Sequence, residues 1–483
     1  MMKVAIAYTP IASAKGVPLL SQNRQFQWFN RPTFIYPVVP AYAATMARDD
    51  GHEVLWLDGI AERWSEEQFL ERMVAAQPDV VLLETKTPVV KATWRWVERL
   101  RAALPAMKIV LAGDHVTALP AESMANCTAD YLLTGGDYDF LLCNLLRHLT
   151  TGEVLEPGIW HRGADGSVRN TGPFETRHDL SALPLIDREL TRWRLYSVHN
   201  GNYRRTPGAY IMAGRDCWHG RCTFCSWTTL FPNYRVRTPE AVADEVGHLI
   251  ERHGVREIMD DTGCFPAGEW LRTFCRLMIA RGYNRRIYFD CNMRFGALEP
   301  ADYALMKQAG FRFVLFGLES ANQATLDRLD KHLKAEAIRE GARAAAAAGL
   351  DVHVTVMLGF PWETADDIAR TVALARELLI RGWAYTLQVT LAIPYPGTPL
   401  FRQCDEQGLL ATRDWDDFDM RQAVMRTPVD DAAIRGAIRR IYRAFFHPRA
   451  LWNRLLHTRH PVEDVKFYGR GFLSLVGHLR DFR

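Results

Sequence analysis

Over roughly the first 150 residues, short unbroken apolar runs alternate with longer stretches of helical periodicity. The runs predict strands at Lys3–Tyr8, Glu53–Leu57, Asp79–Leu83, Lys108–Ala112 and Tyr131–Thr134. The periodic stretches predict helices near Pro40–Asp50, Glu66–Ala76, Val89–Ala103 and Leu119–Ala125, with a last one from Tyr138 to Leu149. Strands that are apolar throughout are covered on both faces, and their alternation with helices implies a parallel sheet in a doubly wound, Rossmann-like α/β domain. Ligands of such sheets bind beyond the strand C-termini. The chain there carries Glu84-Thr85-Lys86-Thr87-Pro88, Ala112-Gly113-Asp114-His115 and Thr134-Gly135-Gly136-Asp137. Short glycine-bearing loops suit a large flat ligand approached by backbone.

Residues 151–206 are rich in glycine, proline and polar side chains and read as a connector, with a hairpin around Ala164-Asp165-Gly166. From 207 to about 405, six strand-then-helix units follow. Their strands are predicted at Ala209–Ala213, Glu257–Asp260, Ile287–Cys291, Phe313–Leu318, His353–Leu358 and Leu387–Leu391. Six units make a partial TIM-like (β/α)6 barrel, open on one side. Polar or glycine-rich motifs recur at the strand C-termini, where barrels carry their chemistry. Residues 406–483 are helical and aromatic, with Trp415, Phe418, Tyr442, Phe445, Phe446 and Trp452. Helices at Arg435–Phe446 and Ala450–Leu456, broken at His447-Pro448, form a C-terminal cap that is expected to close the open side.

Composition narrows the function classes. The 59 basic against 56 acidic residues leave a net charge of +3, too little to argue for nucleic acid as partner. Nine cysteines, an odd number, and a first segment that reads as a strand rather than a signal peptide suggest a reducing cytoplasmic setting. No apolar run reaches the roughly 18 residues of a membrane span. The last stretch mixes Leu, Phe and Trp with Arg454, Arg459, Lys466, Arg470 and Arg480. That pattern fits a basic-surfaced helix packed on the barrel, with a membrane-surface helix and an apolar or lipid-like substrate as the alternative. No glycine-rich dinucleotide fingerprint follows the first strand, which argues against a nicotinamide cofactor. Asp50-Gly51-His52 sits on the turn into the second strand, and His52 reads as a surface turn residue.

The densest chemistry lies in Met212-Ala-Gly-Arg-Asp-Cys217-Trp-His-Gly-Arg-Cys222-Thr-Phe-Cys225-Ser-Trp227. Three cysteines spaced Cys-x4-Cys-x2-Cys leave the C-terminal end of the first barrel strand. Structural zinc wants four ligands, and no fourth cysteine is near. His219 lies inside the loop and reads as a solvated side chain. Three thiolates suit a 4Fe–4S cluster with one open iron.

This stretch resembles the signature of the radical SAM enzymes, with one residue more than the commonest Cys-x3-Cys-x2-Cys spacing. Phe224, the aromatic before the last cysteine, matches the family pattern. The resemblance implies that Cys217, Cys222 and Cys225 hold the cluster. It also implies that S-adenosylmethionine chelates the open iron and is cleaved to a 5′-deoxyadenosyl radical. Later motifs match in order. Met259-Asp260-Asp261-Thr262-Gly263 is placed near the cofactor amine, against the rival reading of a helix N-cap. Arg294, in Cys291-Asn-Met-Arg294, is placed near a carboxylate or in a structural salt bridge. Glu319 and Ser320, in Phe316-Gly-Leu-Glu-Ser320, are placed near ribose or the amino-acid moiety. Gly359, in the turn Gly359-Phe-Pro-Trp-Glu-Thr364, is placed near adenine, with Glu363 and Thr364 capping the next helix. Ile393-Pro-Tyr-Pro-Gly-Thr398 ends the sixth strand in the same style. Cys291 reads as packing or as a radical carrier.

Through Tyr36-Pro-Val-Val-Pro-Ala-Tyr-Ala-Ala44, Gly51-His-Glu-Val54 and Gly113-Asp-His115, the first domain resembles the cobalamin-binding module that precedes many radical SAM barrels. Thr85, Gly113, His115 and Gly135 are the residues expected at the cofactor edge. The Asp-x-His-x-x-Gly motif that supplies a histidine to cobalt is absent. The alternative is a module that keeps the fold and binds nothing. The combined resemblance implies methyl transfer to an unactivated carbon of a small-molecule substrate, with electrons from an external donor such as flavodoxin or ferredoxin. A non-methylating rearrangement, ring contraction or cyclisation and a cluster or cobalamin sensor without turnover are the alternatives.

Overall fold

The computed structural model describes residues 1–19, 26–30 and 32–456, with Phe467 and Gly469 beyond them. Arg459, Lys466, Arg470 and Arg480 lie outside the described residues.

The first sheet forms around the apolar run Val80–Glu84, buried along its whole length. Its neighbours are Lys3–Tyr8 on one side and Lys108–Ala112 on the other, all parallel. Glu53–Asp58 lies outside Lys3–Tyr8, and Tyr131–Leu133 outside Lys108–Ala112. In chain order the five parallel strands therefore run 2-1-3-4-5, with the direction of winding reversing beside the first strand. Helices Val38–Asp49 and Tyr138–Thr151 pack side by side. The predicted hairpin exists as Ile159–Arg162 and Val168–Asn170, and it extends this same sheet by two antiparallel strands. The sheet thus continues past residue 150 into the stretch that reads as a connector.

The second sheet is parallel throughout and keeps chain order: Gly208–Ile211, Glu257–Asp260, Tyr288–Met293, Phe311–Glu319, Asp351–Leu358 and Thr386–Leu391. This is the six-stranded partial barrel. Its floor is tied by one arginine. Arg312 donates to Glu257 at 2.7 Å, to Asp290 at 2.9 Å and to Asp351 at 3.2 Å, all fully or largely buried. Its open edge strand, Thr386–Leu391, is covered by helix Asp431–Arg443. The Tyr442 hydroxyl accepts from the Val389 amide at 3.1 Å. An unpaired strand edge is a liability, and this helix removes it.

The two units are packed together. Arg237, just ahead of helix Pro239–His253, reaches Tyr42 of helix Val38–Asp49 at 3.3 Å. Lys91 pairs with Asp414 at 2.8 Å, and Trp415 donates to Glu122 at 3.0 Å. Trp415, Phe418, Tyr442 and Phe445 are buried, whereas Phe446 and Trp452 are exposed. No helix of the described residues is long and apolar enough to cross a membrane. His52 is 8% exposed and accepts from the Met2 amide at 3.2 Å, so it is a buried turn residue, not a surface one. It precedes the second strand, at the edge opposite the strand C-termini.

Candidate active site

The loop that follows Gly208–Ile211 is shaped before its cysteines begin. Asp216 adopts φ +73°, and a Cβ on Gly263 would lie 2.6 Å from the Asp216 carbonyl. Gly263 is therefore glycine because the cysteine loop passes over its Cα. Backbone bonds fix the rest: Thr223 N donates to Leu329 O at 3.0 Å, and Leu400 N to Thr223 O at 2.9 Å. Cys217, Cys222 and Cys225 are half-buried and form no disulfide. His219 Nε2 donates to the Asp330 carbonyl, 2.6 Å away, so it is half-buried and bound to backbone rather than solvated.

Burial pushes the Cys222 thiol up, and so do Cys217 and Glu319; the cations Lys331 and Arg294 oppose them. Lys331 is 6% exposed and donates to Glu319 Oε1 at 2.9 Å. Burial alone would lower its pKa, but Glu319 and Cys222 more than offset that and raise it. Its ammonium stands 5.8 Å from the centre of the Phe224 ring. Arg294 donates to the Lys331 carbonyl, stacks near Trp218, and makes no ion pair among the described residues. Glu319 holds φ +59°, a conformation that costs a non-glycine residue energy unless its surroundings enforce it. A Cβ on Gly317 would fall 2.2 Å from Glu319 Oε1 and 2.8 Å from Lys331 Nζ. The glycine in Gly-Leu-Glu thus makes room for the ion pair. Lys331 escaped the sequence reading because it lies in an unremarkable loop between two helices.

Phe224 and Trp362 pack against a buried apolar cluster that includes Leu329, Met357, Phe360 and Leu400, an apolar wall beside the cysteine loop. Phe360 and Trp362 stack at 5.3 Å. Gly359 has φ +92°, and its amide donates to Glu363 Oε2 at 2.9 Å. The cap of helix Ala365–Arg381 is Thr364, in a reciprocal box with Asp367; Glu363 instead folds back onto its own turn.

Other expected contacts are placed as follows. Asp260 is fully buried; its carboxylate accepts from Ala213 N at 2.6 Å and Thr262 N at 3.0 Å, tying the second strand to the cysteine loop. It is not a helix cap, since the next helix, Glu269–Ala280, starts after Gly268. Burial raises Asp260 to about 7, against its bonds to Thr262 and Ala213. Asp261 is 8% exposed. Ser320 is fully buried, with its hydroxyl 3.3 Å from Thr371, which commits it to the helix behind. Cys291 is fully buried, and burial pushes its thiol well up.

At the first sheet's C-terminal edge, the Thr85 hydroxyl is 2.8 Å from Thr93, and a Cβ on Gly113 would sit 2.1 Å from the Thr85 carbonyl. Gly135 has φ +81° and donates to Thr117 at 3.0 Å. His115 is completely buried between the rings of Trp94 and Trp415, 3.2 Å from Thr87 and 3.3 Å from Glu122. That is a packing position, because both ring nitrogens face protein. Beside it, Asp114 Oδ1 is buried with no hydrogen-bond partner among the described residues. An amide-fringed corrin at this edge would supply the missing donor. The edge also meets the cysteine loop directly, through Asp137 and Arg215 at 2.7 Å.

The donor set fits an iron–sulfur cluster: three thiols at one strand end, with Lys331 and Arg294 beside Cys222.

Comparison with known proteins agrees with this arrangement. The B12 binding domain model matches residues 30–138, and the Radical SAM superfamily model matches residues 211–375. An uncharacterised methyltransferase of Pyrococcus horikoshii is 25% identical over 422 residues, covering 86% of this chain and 89% of that protein. An anaerobic magnesium-protoporphyrin IX monomethyl ester cyclase of Cereibacter sphaeroides is 24% identical over 435 residues, covering 86% and 68%. Among solved structures, the cobalamin-dependent S-adenosylmethionine radical enzyme OxsB superposes with a TM-score of 0.72 at 14% identity, over 99% of this chain and 72% of that one. The radical S-adenosylmethionine methyltransferase TsrM from Kitasatospora setae gives 0.65 at 18%, over 84% and 76%. At these identities the two structures establish the fold. A B12-binding domain docked onto a cysteine-bearing partial barrel, each matched by its own family in that order, makes this chain a cobalamin-dependent radical SAM enzyme.

Proposed function

We propose that the enzyme methylates an unactivated carbon of a small-molecule substrate. The observation that carries this reading is the direct contact between the two cofactor regions, from Asp137 at the sheet edge to Arg215 in the cysteine loop. The methyltransferase relatives support it. When bound, the cluster and S-adenosylmethionine supply a 5′-deoxyadenosyl radical, and cobalamin supplies the methyl group.

The chain's own share is placement and exclusion of water. Cys217, Cys222 and Cys225 hold the cluster. Phe224, Gly359 and Phe360 offer the adenine an apolar wall and backbone groups. Glu319 orients polar groups of the nucleoside, held in place by Lys331, and Arg294 adds positive charge beside Cys222. Asp261 stands near the cofactor amine, and Asp260 holds that strand end to the cysteine loop. Thr85, Gly113 and Gly135 line the cobalamin edge. The buried faces of Trp415 and Phe418 belong to the cap that shields the mouth. An external donor such as flavodoxin or ferredoxin provides the reducing electron, and the enzyme works in the cytoplasm. An apolar substrate suits a mouth walled by aromatic side chains.

The test is anaerobic. The cluster is reconstituted, cobalamin and dithionite are added, and S-adenosylmethionine is supplied. Mass spectrometry should find both 5′-deoxyadenosine and S-adenosylhomocysteine, and neither should form in the Cys217, Cys222 and Cys225 triple alanine variant. Cleavage of S-adenosylmethionine by that variant would sink the mechanism. The cyclase relative favours a second reading, ring closure without methylation. Deoxyadenosine without S-adenosylhomocysteine would select it.

A further inference from the structure

We propose that Arg215 is a positioning residue that holds the cobalamin edge of the first domain in register with the cysteine loop of the barrel. This rests on the reading above, that one chain carries both cofactors.

The geometry is that of a clasp. Arg215 donates to Asp137 at 2.7 Å and to Asp139 Oδ1 at 3.0 Å, and its other terminal nitrogen reaches Asp139 Oδ2. All three side chains are 2% exposed or less. Arg235 pairs with Arg215 across a short antiparallel ladder, Gly214–Arg215 against Arg235–Val236. It adds bonds to Asp137 at 2.7 and 2.8 Å. His178 completes the shell, 2.9 Å from Asp137 and stacked on Phe140 at 4.3 Å. Beside the clasp, a Cβ on Gly136 would lie 2.0 Å from Phe231, and the Gly136 amide donates to Leu230 at 2.8 Å. The edge and the loop thus touch without slack.

Position in the chain gives this clasp its purpose. Asp137 is two residues past Gly135, on the cobalamin edge. Arg215 is two residues before Cys217. A forked guanidinium between two carboxylates allows one arrangement, which a lysine point charge does not impose. Buried ion pairs add little net stability, but they can specify a register. Two reacting centres gain most from being held at a fixed separation.

The test uses the full chain loaded with cluster and cobalamin. Reduced cluster and cob(II)alamin are both paramagnetic, so pulsed EPR reads the spread of distances between them. In the double variant R215M/D139N, which removes the pair without orphaning a buried charge at Asp139, melting temperature and cofactor content should stay near wild type. The sharp distance distribution should be lost, and it should also be lost in R215K. A distribution as sharp as wild type in the loaded double variant overturns the proposal. If the double variant sheds a cofactor, D139N alone is read the same way, since Arg215 then keeps Asp137 as its only carboxylate on this side and loses the two-oxygen grip on residue 139. Wild-type protein that takes up no cobalamin would overturn the functional reading first, and the clasp's purpose with it.

Discussion

Glu363 stands one residue ahead of a helix cap and faces away from the helix. Its carboxylate accepts from Gly359 and Phe360, closing the Gly-Phe-Pro-Trp-Glu turn on itself at 1% exposure. Burial raises it from the ordinary 4.5 to about 7, against those two backbone bonds. The native state therefore binds this proton more tightly than the unfolded chain. Its contribution to stability is complete below about 4.5 and is lost as pH climbs to about 7. In E363Q that part of the fall in melting temperature between pH 4.5 and 7 should vanish, as a thermal-melt series will show; an unchanged slope would reject the assignment. The residue's type and neighbours were legible in the sequence, and its orientation was not. Helix caps depend on local spacing, whereas a backward-facing acid depends on the path of the turn. Lys331 makes the same point more sharply. Nothing near it in sequence marks a lysine buried against Glu319 and Cys222, because the partners come from other strands and loops.

At the scale of elements, apolar patterning is a reliable guide wherever a strand is central. Val80–Glu84 and Asp351–Leu358 were foreseen within a residue or two, since both faces are covered and every position is constrained. Edges are harder. The hairpin Ile159–Arg162 and Val168–Asn170 is largely half-exposed or exposed, so its pattern revealed a turn but not the sheet it joins. The cap helix Asp431–Arg443 owes its place to the exposed edge of Thr386–Leu391. Tyr442 clamps that edge, accepting from Val389 N at 3.1 Å and donating to its carbonyl at 3.4 Å. Y442F leaves the buried Val389 amide without this partner and should cost about 1–3 kcal/mol. Denaturant titration reads that loss, and a variant as stable as wild type would show that the helix holds by packing alone.

Across the whole molecule, charge is used in two buried places with opposite meaning. The Arg215 clasp joins two units near the chemistry. The Arg312 network ties the barrel floor, far from the strand C-termini, and there the role is structural. Removing Arg312 leaves the buried carboxyl pair Glu257 and Asp290 without the cation that sits between them. R312M should therefore destabilise the protein by about 3–5 kcal/mol. Chemical denaturation should show the loss, while any variant that still folds should bind its iron at wild-type stoichiometry. Loss of iron from folded R312M would mean that floor and mouth are coupled.

Apolar runs and motif spacing were enough for the order of two α/β units, the five-stranded parallel core of the first sheet, the wholly parallel second sheet and the cysteine triplet with its flanking strand-end motifs. These are local: apolar runs report burial, and a cysteine loop carries its spacing with it. Tertiary structure decided which charges meet. It brought Asp137 to Arg215 across 78 residues, Lys331 to Glu319, and His115 into a slot between the rings of Trp94 and Trp415. The physical reason is that a buried charge is tolerated only where a partner is supplied, and the partner's identity depends on how distant segments pack.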